Sequence, residues 1–68
     1  MSNRLAEVRK KQGISQLRLA YLTGIQPPEI SRIETGRLKP YPGWRKRIAR
    51  ALKVSETELF PENESDGV

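Results

Sequence analysis

The chain contains no cysteine and no histidine. Without cysteine there is neither a disulfide framework nor a thiolate metal site. Without histidine the commonest general base and the commonest metal ligand are lost together. The chain is therefore not expected to be an enzyme, and no metal or other cofactor is expected. Aromatics are scarce, at 6%, and no apolar run approaches the length that spans a membrane. The opening Met1-Ser-Asn-Arg-Leu-Ala-Glu-Val-Arg9 does not read as a signal peptide. A cytoplasmic chain without a membrane partner is the expectation. Strand-like alternation, internal repeats and low-complexity runs are missing too. What remains, over 68 residues, is one small domain with a modest core.

Charge is plentiful and unevenly placed. Residues 1–53 hold all thirteen Lys and Arg and only three acids (Glu7, Glu29 and Glu34), a balance of +10. Residues 54–68 hold no base and five acids, a balance of −5. A body this basic suggests a polyanionic partner, nucleic acid first and an anionic membrane second. The plainer reading is a solubilising surface.

Punctuation falls at short intervals. Asn3 or Ser2 caps a first helix, with Leu5 and Val8 inside and Gly13 closing it. Ser15 caps a second, with Leu19, Ala20 and Leu22 facing inward and Gly24 at its end. Ile30 and Ile33 mark a third, ending at Gly36. The segment from Arg37 to Gly43 is rich in Pro and Gly and reads as a loop. A fourth helix from about Gly43 to Lys53 places Trp44, Ile48, Ala51 and Leu52 on one face. Ser55 starts a fifth, with Glu58 completing a capping box and Pro61 stopping it. The domain is thus residues 1–60, and residues 61–68 read as a disordered acidic tail.

The third helix opens with Pro27-Pro28. Proline lacks the N–H that the first helical turn leaves unpaired, so it is harmless there and presets φ. Because proline disfavours an α conformation in the residue before it, the regular helix is expected to start at Pro28. With Ile30 and Ile33 inward, the outer face is centred on Pro28 and Thr35 and flanked by Ser31 and Arg32. A helix of this kind fits the DNA major groove. The segment Ser15 to Gly24 supplies a preceding helix and a glycine-containing turn, and helix, tight turn, helix is a DNA-binding unit. Ala20 is small where the two helices cross.

At this point the sequence resembles the phage-repressor and Cro type of helix-turn-helix domain, also called the xenobiotic-response-element type. Arg9-x-x-x-Gly13, Ser15-Gln16, Leu19-Ala20, Gly24-Ile25, Ile30-Ser31-Arg32-Ile33-Glu34-x-Gly36, Lys39-Pro40 and Ala51-Leu52-x-Val54-Ser55 through Leu59-Phe60 carry the resemblance. It implies an all-α, five-helix, lambda-repressor-like fold that binds double-stranded DNA. It implies that Gln16 touches a phosphate, and that Gln26, Pro27, Pro28, Ser31 and Arg32 face the groove. It also implies that Arg9 and Glu34 pair as a structural ion pair, and that the loop around Arg37 and Lys39 meets the DNA backbone. The chain departs from the family's usual pattern at Leu17, Arg18, Gln26, Pro27 and Pro28, and the prolines cannot donate hydrogen bonds to bases.

The base-reading set is accordingly Gln26, Pro28, Ser31 and Arg32, and the backbone set is Gln16, Arg18, Thr35, Arg37 and Lys39. Arg32 can donate a bidentate pair to guanine, and Pro28 can pack against a thymine methyl. Lys10, Lys11, Lys46, Arg47, Arg50 and Lys53 read as solvated faces. The expected function is sequence-specific binding by a small transcriptional regulator, a homodimer on DNA without a small-molecule effector. Two rivals are an antitoxin-like interaction module that also binds its promoter, and a charge-driven, non-specific nucleic-acid binder. A patch of exposed Leu17, Tyr21 or Tyr41 would favour a protein partner.

Overall fold

The computed structural model describes residues 3–61. Five short helices follow one another: α1 (Leu5–Lys11), α2 (Gln16–Thr23), α3 (Pro27–Glu34), α4 (Pro42–Leu52) and α5 (Glu56–Leu59). No strand occurs among the described residues. The expected tail, beyond Pro61, lies outside them.

The helix boundaries follow local chemistry. At α1, the Asn3 Oδ1 accepts from the Leu5 N–H at 3.0 Å, covering one of the orphan donors of the first turn. Ser15 caps α2 and Ser55 caps α5, each accepting from the N–H three residues on, in Arg18 and Glu58. Gly24 adopts φ 75° and closes α2 in the left-handed conformation that glycine takes without a Cβ clash. Lys53 takes the same left-handed position after α4, at φ 59°, although it is not glycine.

Three expected boundaries shift. The N-cap of α1 is Arg4, one residue after Asn3 and without a side-chain cap bond. Pro27, expected to precede the regular helix, is already helical: Gln26 is the N-cap in extended conformation, and the prolines fill the first two helical positions. The first intrahelical donors are the N–H groups of Glu29 and Ile30, both bonded to the Gln26 carbonyl. Both prolines thus stand where an N–H would have no partner, so neither costs the helix a hydrogen bond, and the steric preference of a residue before proline does not keep Pro27 out of the first turn. Likewise α4 starts at Pro42, with Tyr41 as N-cap, so Gly43 is helical and does not belong to the loop.

The core gathers one or more residues from every helix. Leu5, Leu19, Ile30, Ile33, Ile48, Leu52 and Leu59 are fully buried, each contributing roughly 1.5–3 kcal/mol of transfer free energy. Leu22, expected inside, is exposed. Leu19, Ala20 and Thr23 form the inner arc of α2, and Leu22 falls about 110° from the centre of that arc. Thr23 fits inside because its hydroxyl donates to the Leu19 carbonyl at 2.8 Å and accepts from the Ile25 N–H at 3.2 Å. On α4 the buried face is rotated from the expected one towards Ala49, leaving Trp44 and Ala51 half-buried. The contacts of α2 with α3 and of α2 with α4 make α2 the hub of the fold.

Candidate nucleic-acid interface

Only Gly24, Ile25 and Gln26 separate α2 from α3. Gly24 makes the left-handed step, Ile25 plugs the core, and Gln26 begins the next helix. From α4, Arg47 Nη1 donates to the Thr23 carbonyl at 3.4 Å. A cation there complements the negative end of the α2 dipole. The crossing of the two helices is therefore held by a turn, a core plug and a third helix.

The far end of α3 is clamped as well. Arg9 donates through Nε and Nη2 to the two carboxylate oxygens of Glu34, and through Nη1 to the Ile14 carbonyl at 2.8 Å. The Arg9 and Glu34 side chains are 9% and 6% exposed. Charge at that depth survives because nearly every polar group has a partner. Gln16 joins the cluster, its Nε2 donating to Glu34 Oε1 at 2.9 Å. The Asn3 amide adds a bond to the Ile33 carbonyl at 2.8 Å. Residues from α1, α2 and the segment before α1 thus converge on the last turn of α3. Gln16 side-chain bonding to Glu34 was not anticipated from the sequence. The half-buried Gln16 is anchored to the same carboxylate that fixes α3.

With its inner side held by Ile30, Ile33 and Glu34, α3 turns the rest outward. Gln26, Pro27, Pro28, Arg32 and Thr35 are exposed, and Ser31 is half-buried. The Thr35 hydroxyl folds back on its own helix, within 3.2 Å of the Ser31 and Arg32 carbonyls. Arg32 Nη1 lies 3.5 Å from Glu29 Oε1, one turn back along the surface. Beyond α3, the backbone N–H of Arg37 donates to the Arg32 carbonyl at 2.9 Å, and the Arg37 and Lys39 side chains stand on the exposed loop. Arg18 is exposed on α2 with its guanidinium 5.8 Å from the centre of the Tyr21 ring.

Beside this face runs an apolar groove of about 490 Å³, lined by Leu17, Ala20, Tyr21, Gly24, Ile25, Gln26 and Pro27. Leu17 and Tyr21 stand out in it, four residues apart on α2 and both exposed. On α4, Lys46, Arg47 and Arg50 are exposed as expected, as is the cap residue Lys53, while Arg45 reaches Glu56 at 3.5 Å. Among the described residues no group of three or more acidic, histidine or cysteine side chains could hold a metal ion. No helix among the described residues is long and apolar enough to cross a membrane.

The model of a family described as helix-turn-helix domain matches residues 1–60. The chain belongs to the helix-turn-helix domain family. It is 36% identical over 61 residues to the HTH-type transcriptional regulator PuuR of Escherichia coli K12, a match covering 90% of this chain and 33% of that protein. The protein of the same name from Shigella flexneri matches with the same figures. The chain therefore spans about a third of the length of these relatives. In a helix-turn-helix domain the second helix of the unit enters the DNA major groove. The second helix of the unit here is α3, on which Pro28 and Arg32 are exposed and Ser31 is half-buried.

Proposed function

We propose that this domain binds double-stranded DNA sequence-specifically, as part of a transcriptional regulator acting by occupancy of its site, and that it works in the cytoplasm. The observation that carries this reading is the division of labour on α3 within a helix-turn-helix unit. One side of the helix is fixed to the core at both ends, and the other presents Pro28, Ser31 and Arg32 to solvent. Gln26, Pro28, Ser31 and Arg32 meet base edges in this reading. Gln16, Arg18, Thr35, Arg37 and Lys39 meet phosphates and set the register. Gln16 keeps one amide hydrogen for that purpose beside its bond to Glu34.

The domain acts as a homodimer on a two-fold site with half-sites about 34–36 Å apart. One such module offers few reading side chains, and two related by symmetry double the contact. Leu59 and Phe60 are buried within the core. A dimer contact from the C-terminal half therefore draws on the exposed Tyr41 and the outer residues of α5 instead. Repression by blocking polymerase is the simplest outcome of such occupancy.

Selection of bound duplexes from random DNA, followed by footprinting and stoichiometry, tests the reading. A palindromic site holding two copies is expected. With about six to ten phosphates neutralised, affinity falls with salt at a log–log slope of about −5 to −9. Equal affinity for random duplexes at physiological salt would overturn sequence-specific binding, and one copy on an asymmetric site would overturn the dimer.

A further inference from the structure

The groove between α2 and α3 is lined by the buried Ala20 and Ile25 and by Gln26, and its exposed apolar wall has no part in the contacts proposed above. Its outer wall is Leu17 and Tyr21, which are 70% and 79% exposed. Its inner wall is the start of α3, from Gln26 to Pro27. Pro28 follows on the outer face of the same helix, also exposed. Four apolar side chains thus meet solvent around the end of the helix whose N-terminal residues reach base edges. An exposed cluster of this kind marks a contact surface.

We infer that the Pro27–Pro28 edge of α3, flanked by this groove, seats the C5-methyl group of a pyrimidine in the major groove. The inference rests on the DNA-binding reading proposed above and names what the site recognises. The argument is chemical. A proline ring offers neither N–H nor any other donor or acceptor. Set against a guanine, adenine or unmethylated cytosine edge, it displaces water from polar atoms and gives nothing back. The C5-methyl of thymine is the one apolar feature that an ordinary base pair shows in the major groove. A 5-methylcytosine presents the same group. The prolines also sit at fixed φ in the first turn, so the seat is rigid before DNA arrives.

The exposure of Leu17 and Tyr21 is the feature that, on the sequence alone, would favour a protein partner; the surroundings of the groove favour DNA as the occupant instead. Arg18 lies at the rim, its guanidinium 5.8 Å from the centre of the Tyr21 ring. A cation beside an apolar wall suits a backbone phosphate next to a buried methyl. The groove also shares Gln26 and Pro27 with the start of the reading helix, so an occupant that fills it meets the same ligand as α3. Tyr41, the other exposed tyrosine, lies apart from it, packed edge-on against Trp44 at 4.8 Å.

The test starts from a selected duplex and the full chain. Each thymine is replaced singly by deoxyuridine, which removes only the methyl. Replacement at one position in each half-site is expected to weaken binding about fourfold, the effect of exposing one buried methyl-sized group. At that position a C·G pair binds poorly and a 5-methylcytosine·G pair recovers part of the loss. In Pro28→Ala, whose folding is checked by thermal melting, the deoxyuridine effect disappears. Leu17→Ser and Tyr21→Ser weaken binding to the thymine duplex more than to its deoxyuridine counterpart. A selected site insensitive to every thymine methyl, or a methyl effect that persists in Pro28→Ala, overturns the inference while sequence-specific binding stands. Unchanged affinity of both groove variants on both duplexes overturns the groove's part. A selection that enriches no sequence overturns the DNA-binding reading itself.

Discussion

Two arginine–glutamate pairs touch α3, and they differ in almost every physical respect. Arg9 and Glu34 meet under the C-terminal turn, nearly sealed from water, and Gln16 and the Ile14 carbonyl complete their bonding. Glu29 and Arg32 meet on the surface three residues apart, in looser contact at 3.5 Å and with Arg32 60% exposed. The first pair joins elements distant in sequence, and the second joins a helix to itself. Burial decides what each can do. The sealed pair fixes where α3 lies, because neither charge tolerates the loss of the other. The open pair leaves Arg32 able to exchange Glu29 for a different acceptor at little cost. The same two residue types therefore serve as an anchor at one end of the helix and, along its face, as an exchangeable pair that suits the reading role proposed for Arg32.

The largest expected effect comes from breaking the anchor. Glu34→Ala strands the Arg9 guanidinium and should lower stability by about 3–5 kcal/mol, measured by urea denaturation. In a domain of this size that loss is enough to unfold much of the population. The double variant Arg9→Met, Glu34→Leu should regain part of it, since no charge is stranded. A loss below about 1 kcal/mol in Glu34→Ala would put the two pairs in the same class and erase the contrast.

Next in size is Arg32, the proposed reader. Arg32→Ala should reduce discrimination at one base pair per half-site by about 1–3 kcal/mol, while stability moves by no more than about 0.5 kcal/mol. Competition binding with single-base variants of a selected site measures the first, and thermal melting the second. Lys39→Ala gives the companion result: a smaller weakening, uniform over all sequences, with the salt slope reduced by about 1. If Arg32→Ala also weakens all sequences alike, Arg32 contacts phosphate and the reading face has to be redrawn. The smallest effect belongs to Glu29→Gln. It should alter stability by less than about 1 kcal/mol, as exposed pairs do. A larger change in urea denaturation would show that the surface pair also holds the helix.

The contrast between the pairs bears on what could be read from sequence. Gly13, Gly24 and Gly36 announced three helix ends, and all three adopt positive φ. Ser15 and Ser55 announced two helix starts, and Ile30 and Ile33 the buried side of α3. These signals are local, set by one residue and its neighbours in the chain. The errors came where an outcome depends on rotation or on long-range partners. Leu22 is apolar yet turned away, because Thr23 satisfies its own hydroxyl and takes the inner place. Ala49 was passed over because the face of α4 rotates towards its neighbours. At the proposed interface, the exposure of Pro28, Arg32 and Thr35 followed from periodicity alone. The Arg9–Glu34 pairing came only with the family resemblance, and the bond from Gln16 to Glu34 with neither. No spacing rule joins residues eighteen positions apart.

The N-terminus of α3 has a further consequence. No side chain caps it, and two pyrrolidine rings occupy the positions where capping bonds would otherwise form. The start of the helix is therefore set by covalent constraint as well as by hydrogen bonding. Prolines in compatible positions narrow the unfolded ensemble, so less conformational entropy is lost when the segment folds. The same stiffness carries over to association. Two of the outward residues nearest the helix start have essentially no rotameric freedom to surrender when a ligand arrives, unlike arginine or glutamine in those places. The edge proposed to read DNA is consequently preorganised where it is least polar and adaptable only farther along, at Arg32.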